Sequence, residues 1–276
     1  MFDKRAMLVE LTIRQWTARK HDKKVSREVD QGHGAQNAGR YNKQLIEKGA
    51  LESVAKQAAA IRTFHYARTL PWGNNGQRLL PAKFFMEYRT ELIKLRDEFN
   101  RNVNNFMLLY PQLVAEARTR LGTLYDPTEY PPATDVRLSF GVEFEIFPVP
   151  TAGDFRVDVA SEERSEITAQ IEAATLERQA GATKACYVRV RDVLQRMKQQ
   201  CVAGKTRITD SLVADARDLT SALDDLNIAG DPELTRVNEE IRRDLLIDAE
   251  DLRRDPKARQ AVGDRASELL DSLPWG

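Results

Sequence analysis

The sequence predicts an α+β fold, mostly helical, in which a small antiparallel sheet of about three strands packs with long helices and a C-terminal helical bundle follows. Three observations carry this. Two short stretches, around 9–13 and 136–146, alternate apolar and polar residues as half-buried strands do. An apolar stripe with helical spacing fills 85–110, and nothing beyond Ser161 reads as strand. With 276 residues the chain can bury a sizeable core without cross-links, and the change of character suggests an N-terminal α+β region over 1–160 and an acidic helical region over 161–276.

The elements follow in order. Val9, Leu11 and Ile13 alternate with Glu10, Thr12 and Arg14 in a first strand. After Trp16 a helix is expected through Asp30, with Ala18, Val25 and Val29 as a thin apolar stripe. The segment Gln31–Gly39 is a loop. The Ala-rich stretch Leu51 to Ala67 is helical by propensity and ends at the breakers of Leu70-Pro-Trp-Gly-Asn-Asn-Gly76. After Pro81, Phe85, Tyr88, Leu92, Leu95, Phe99, Val103, Phe106 and Tyr110 mark a long helix that Pro111 is expected to stop. Val136, Leu138, Phe140, Val142, Phe144 and Ile146 then form one face of a strand, with Phe155, Val157 and Val159 as the returning arm of a hairpin. Helices are expected over Ile167–Cys201, Leu212–Leu226 and Leu234–Leu245. Asp231-Pro232 and Asp255-Pro256 set an N-cap before a proline at the first helical position.

Charge is the most informative functional feature. The formal net charge is zero, yet residues 1–100 carry 19 Lys+Arg against 11 Asp+Glu, and residues 201–276 carry 11 against 17. The basic excess concentrates at Arg19, Lys20, Lys23, Lys24 and Arg27, spaced to line one face of the expected helix, with Arg40, Tyr41 and Lys43 just beyond. With Trp16, these mix cations and flat rings as single-strand binders do, the cations for phosphates and the rings for bases. The alternative is a solvated face with Trp16 in the core, or a head-to-tail subunit contact with the acidic end.

Other motifs fall short of a site. Gly204-Lys205-Thr206 ends like a phosphate-binding loop, but Gln199 stands where its first glycine belongs. Gly73 and Gly76 read as turn glycines. His21, His33 and His65 give no metal-ligand spacing, and neither Asp30 with His33 nor Glu143 with Glu145 defines a centre. Cys186 and Cys201, separated on one helix by roughly 22 Å, cannot bridge and read as buried thiols of a reducing cytoplasm. No cofactor or metal is called for, and an enzyme is not the expected class. Glu10 interrupts the first apolar stretch too early for a signal peptide, and no run approaches the ~18 apolar residues of a membrane span, so a cytoplasmic protein without membrane contact is expected.

Leu70-Pro-Trp-Gly73 recurs as Leu273-Pro-Trp-Gly276, after Glu268 and Asp271, a tail suited to docking on a protein partner or a neighbouring subunit. Trp16-Thr-Ala-Arg-Lys20, Gly39-Arg-Tyr-Asn-Lys43, Phe64-His-Tyr66, Leu70-Pro-Trp-Gly73, Arg78-Leu-Leu-Pro81 and Phe155-Arg-Val157 resemble a family of uncharacterised phage and prophage proteins, over residues 8 to about 160. That resemblance carries no catalytic residue and implies a role inside an assembly. The expectation is a non-enzymatic, oligomeric phage protein that binds nucleic acid, single-stranded DNA foremost, through Trp16, Arg19, Lys20, Lys23, Lys24, Arg27, Arg40, Tyr41 and Lys43. The alternative is a scaffold or adaptor that works through its long amphipathic helices.

Overall fold

The computed structural model describes residues 4–73, 75–151, 161–202 and 208–274. Its elements run β1 (Ala6–Arg14), β2 (Arg19–His21), α1 (Lys23–Gly32), β3 (Asn42–Gln44), α2 (Glu52–Arg68), β4 (Leu70–Pro71), β5 (Arg78–Pro81), α3 (Phe85–Leu121), α4 (Ala133–Leu138), β6 (Gly141–Pro148), α5 (Ser161–Gln200), α6 (Asp210–Leu226), α7 (Pro232–Asp244), α8 (Ala249–Arg254) and α9 (Pro256–Ser272). The fold is α+β and mostly helical. Its strands form a four-stranded sheet in the order β4-β5-β1-β6 and a separate ladder of β2 with β3. Two compact units interleave along the chain: Met1–Glu10, His65–Tyr88 and Glu145–Gly276 make the first, and Leu11–Phe64 with Arg89–Phe144 the second.

In the first unit, β5 pairs antiparallel with both β1 (Leu8 opposite Leu79) and β4 (Leu70 opposite Leu79). The breaker-rich segment after Leu70 is therefore a hairpin turn, closed by Trp72 N–H donating to the Gln77 carbonyl. Gly73 and Gly76 supply the positive φ values of 70° and 85° that the turn needs. β1 starts earlier than its alternation suggests and is buried on both faces at its beginning, through Ala6 and Leu8 on one side and Val9 on the other. The helices share one core. From Ala182 onward α5 buries Cys186, Tyr187, Val190, Val193, Leu194 and Met197 at steps of one to four residues, and it packs on α9, α6 and β4. Each buried aliphatic side chain contributes about 1.5–3 kcal/mol. Asp231 and Asp255 cap α7 and α9 as their prolines predict, Asp231 accepting from the Glu233 and Leu234 amides and Asp255 from that of Lys257. Gly263 allows α9 its close approach to α5, since a β-carbon there would lie 2.0 Å from the Cys201 carbonyl oxygen. Both cysteines are free and buried, and burial pushes the Cys186 thiol up to about 12.

In the second unit, α2 buries Val54, Ala58 and Ile61, and α3 buries Leu92, Phe99, Val103, Phe106, Tyr110 and Ala117. α3 does not stop at Pro111. The proline forfeits a backbone hydrogen bond and introduces a clash that cost ~3 kcal/mol or more in a helix interior. Half-buried Leu113 and Val114 and buried Ala117 extend the apolar stripe past it and favour continuation. Val136 and Leu138 also depart from expectation. They belong to α4, which starts directly after Pro132, and the strand begins only at Gly141. The returning arm at Phe155, Val157 and Val159 lies outside the described residues.

Candidate nucleic-acid interface

The basic segment of the second unit is not one helix. Ala18 takes a left-handed conformation, φ 52°, which costs roughly 1–2 kcal/mol for a residue with a β-carbon and breaks any helix running through it. Arg19–His21 then pairs antiparallel with Asn42–Gln44, with Lys20 opposite Lys43. Asp22 caps α1, its carboxylate accepting from the amides of Lys24 and Val25. These bonds, the one to Val25 first, hold the Asp22 carboxyl below the usual carboxylate range. The five cations are thus split between a strand and the first five residues of a helix. Residues 19–44 form an excursion: strand, helix, loop, returning strand.

Little apolar burial holds α1 in place. It has no buried residue, and Val29 is 52% exposed. Polar ties replace a core. The Ser26 hydroxyl donates to the Asp22 carbonyl (2.7 Å) and accepts from the Tyr41 amide (3.0 Å). The Asp30 carboxylate accepts from the amides of Asn37 (3.0 Å) and Ala38 (3.3 Å), drawing the loop back onto the helix end.

Arg19, Lys20, Lys23, Lys24, Arg27, Arg40 and Tyr41 are all exposed. Among the described residues, their one ion pair is Lys24 with Glu28 at 3.9 Å, on the helix surface, where such a pair contributes about 0.3–0.5 kcal/mol. The Arg27 Nε donates to the Lys23 carbonyl. Lys23 and Lys24 also sit in the first turn of α1, where the helix dipole disfavours cations and favours an anion.

Two of the sequence-selected residues do not join this surface as expected. Lys43 is removed from it: its side chain is 3% exposed, and the ammonium donates to the Leu124 carbonyl (2.7 Å) and forms ion pairs with Glu129 (2.7 Å) and Asp22 (3.3 Å). Burial pulls its pKa down, but the bonds to Glu129 and Asp22 outweigh that and leave it above the ordinary lysine value. A lysine so enclosed cannot reach a phosphate. It instead anchors the residue that caps α1. Trp16 is half-buried, edge-on to Tyr110 at 5.6 Å and 6.2 Å from Phe106, so much of its ring belongs to the packing of α3. Tyr41, 40% exposed, is the aromatic side chain that stands among the cations.

The supporting residues Asp22, Ser26, Asp30 and Glu129 were missed by the charge pattern. Only Asp22 left a local signal, a cap residue directly before a helix. The other sequence candidates resolve as follows. Gly204-Lys205-Thr206 lies outside the described residues. Glu143 pairs with Arg14 at 2.6 Å. His65 is buried, with Nδ1 2.7 Å from the Tyr88 hydroxyl, and burial together with the Arg78 charge lowers it to about 4. Leu273, first residue of the repeated tail, is packed in the core of the first unit. Among the described residues no group of three or more His, Cys, Asp or Glu side chains is placed to hold a metal ion, and no helix is long and apolar enough to cross a membrane. No protein-family model, curated protein or solved structure matches the chain.

Proposed function

We propose that this chain is a non-enzymatic, oligomeric phage protein that binds nucleic acid, single-stranded DNA foremost, through the excursion at residues 19–44. One observation carries the reading: Arg19, Lys20, Lys23, Lys24, Arg27 and Arg40 are exposed together with Tyr41, and their own unit offers them one weak carboxylate partner among the described residues. Cations left in solvent gain most from a polyanion, because each phosphate contact releases condensed counterions. Tyr41 supplies a stacking face that tolerates any base. Lys43 acts behind the surface, fixing Asp22 and through it the start of α1. The test is a titration of fluorescent single-stranded DNA at about 50 and 200 mM salt. Four or more phosphate contacts give affinity that falls by roughly two orders of magnitude across that range. Affinity that is absent, or indifferent to salt, removes the reading.

A second reading, a scaffold or adaptor, is favoured by apolar side chains left on the long helices: Leu108 (81% exposed) and Leu109 on α3, and Leu176 (66%) on α5, whose first twenty residues bury none of their side chains. Light scattering in low and high salt separates the two. An assembly that high salt dissolves, in a protein that binds no single-stranded DNA, favours the scaffold.

A further inference from the structure

Beside the excursion, within the same unit, lies a hollow of about 670 Å³. Trp16, Arg19, Ile46, Lys48, Leu51 and Ala55 line it. Its size falls within the range of small-ligand sites, and its lining mixes apolar side chains with at least as many polar ones, Gln15, Thr17 and Gln44 among them. The left-handed turn at Ala18 brings the chain from Trp16 to Arg19 around the hollow, and Ala18 is held in that conformation by its carbonyl accepting from the Leu45 amide at 2.8 Å. Trp16 borders the cavity while Tyr110 and Phe106 fix its ring, so it is a rigid wall and not a mobile flap. Arg19 and Lys48 are exposed at the rim, and neither has a carboxylate partner among the described residues. Glu47 and Glu52 stand on the same rim. A bare phosphate suits such a mixed rim poorly. A nucleotide suits it: Trp16, Ile46 and Leu51 take the base, Arg19 takes its phosphate, and the carboxylates of Glu47 and Glu52 accept from an exocyclic amino group.

We infer that this hollow receives one unpaired nucleobase bearing an exocyclic amino group, cytosine or adenine, from a strand whose backbone lies along the excursion. The inference rests on the nucleic-acid reading above and adds to it a base-selective subsite. It explains why Trp16 is only half-buried although α3 aromatics hold it, and it gives single strands an advantage that exposed cations alone do not confer. A duplex, with its bases paired, cannot fill the hollow.

The test compares wild-type protein with Ala55→Trp, which fills the hollow from the exposed side of α2 without touching a cation, and with Trp16→Phe. Binding of oligo-dC and oligo-dT of roughly 12 nucleotides is followed by anisotropy at the two salt concentrations, together with tryptophan emission. The expected result is oligo-dC bound about fivefold more tightly than oligo-dT, and about tenfold weaker oligo-dC binding by Ala55→Trp with an unchanged salt slope. Wild-type emission is quenched by oligo-dC, and the quench is lost in Trp16→Phe. Equal binding of both oligonucleotides, or full binding by a normally melting Ala55→Trp variant, overturns the hollow and leaves the cationic surface standing. Should Ala55→Trp fail to fold, the emission decides: no quench that depends on Trp16 overturns the inference. Failure of the wild type to bind either oligonucleotide at either salt overturns the inference and the nucleic-acid reading together.

Discussion

Arginine does opposite things in the helical part of the first unit and in the excursion of the second. In the helical part of the first unit it is consumed internally. Arg196 pairs with Asp215, Arg242 with Asp224, Arg253 with Asp210, Arg236 with Glu233 and Glu240, and Arg265 with Glu240, Asp244 and Glu268. Seven of the seventeen carboxylates of residues 201–276 are taken up in these bonds, and Asp244, held first by Arg243 and then by Arg265, is lowered to about 2. In the excursion of the second unit, cations of the same kinds face solvent and the buried one, Lys43, takes the carboxylates. What separates a structural cation from a binding one is whether its own unit supplies a partner, not how many cations a segment contains.

The contrast can be sharpened by mutation. The largest effect belongs to Lys43→Met, which leaves Asp22 and Glu129 unpaired in a mostly buried site. Urea denaturation should show a loss of about 3–5 kcal/mol, against almost nothing for the neighbouring exposed Lys20→Met.

Next comes acid. His65 is lowered to about 4, below the 6.5 of an unfolded chain, so the unfolded state binds the proton first as pH falls. The stability it lends is whole above pH 6.5 and drains away between 6.5 and about 4, by roughly 3 kcal/mol. Denaturation curves across that window should show the loss, and His65→Leu, though less stable at neutral pH, should lack that part of the slope.

Arg265→Ala comes third. It removes a guanidinium that joins three carboxylates at the partly exposed surface of α7 and α9, and thermal denaturation should register about 1 kcal/mol, shrinking in high salt. The smallest effect has the opposite sign. Lys23→Gln with Lys24→Gln removes two cations from the positive end of a helix dipole and should raise stability by a few tenths of a kcal/mol in the same melts. A substitution that stabilises the protein while weakening its binding marks a surface kept for function.

The sequence was most legible where periodicity and caps agree. The C-terminal helices, the Asp231 and Asp255 caps and the α3 stripe follow directly from residue spacing. It misled where one strong residue was given too much weight. Pro111 reads as a stop, yet Leu113, Val114 and Ala117 continue the apolar face beyond it. Val136 and Leu138 fitted an alternating pattern, but Pro131-Pro132 places a helix start in front of them. The interleaved units had no local signal, because β1 and the 65–88 segment find their partners far along the chain. At the candidate site the exposed cations were visible as a cluster. The burial of Lys43 was not, since it depends on Glu129 and Leu124, more than eighty residues away.

The central claim is that the solvent-facing cations of the excursion, and not the paired arginines of the bundle, meet a polyanion. The most direct test is a salt titration of single-stranded DNA binding by three proteins: wild type, Lys23→Gln/Lys24→Gln/Arg27→Gln, and Arg236→Gln/Arg242→Gln. The account predicts that the excursion variant lowers the slope of log affinity against log salt by about 2, at roughly 0.7 per lost phosphate contact, and that the bundle variant keeps the wild-type slope. Identical slopes for all three proteins, or a loss confined to the bundle variant, would contradict it.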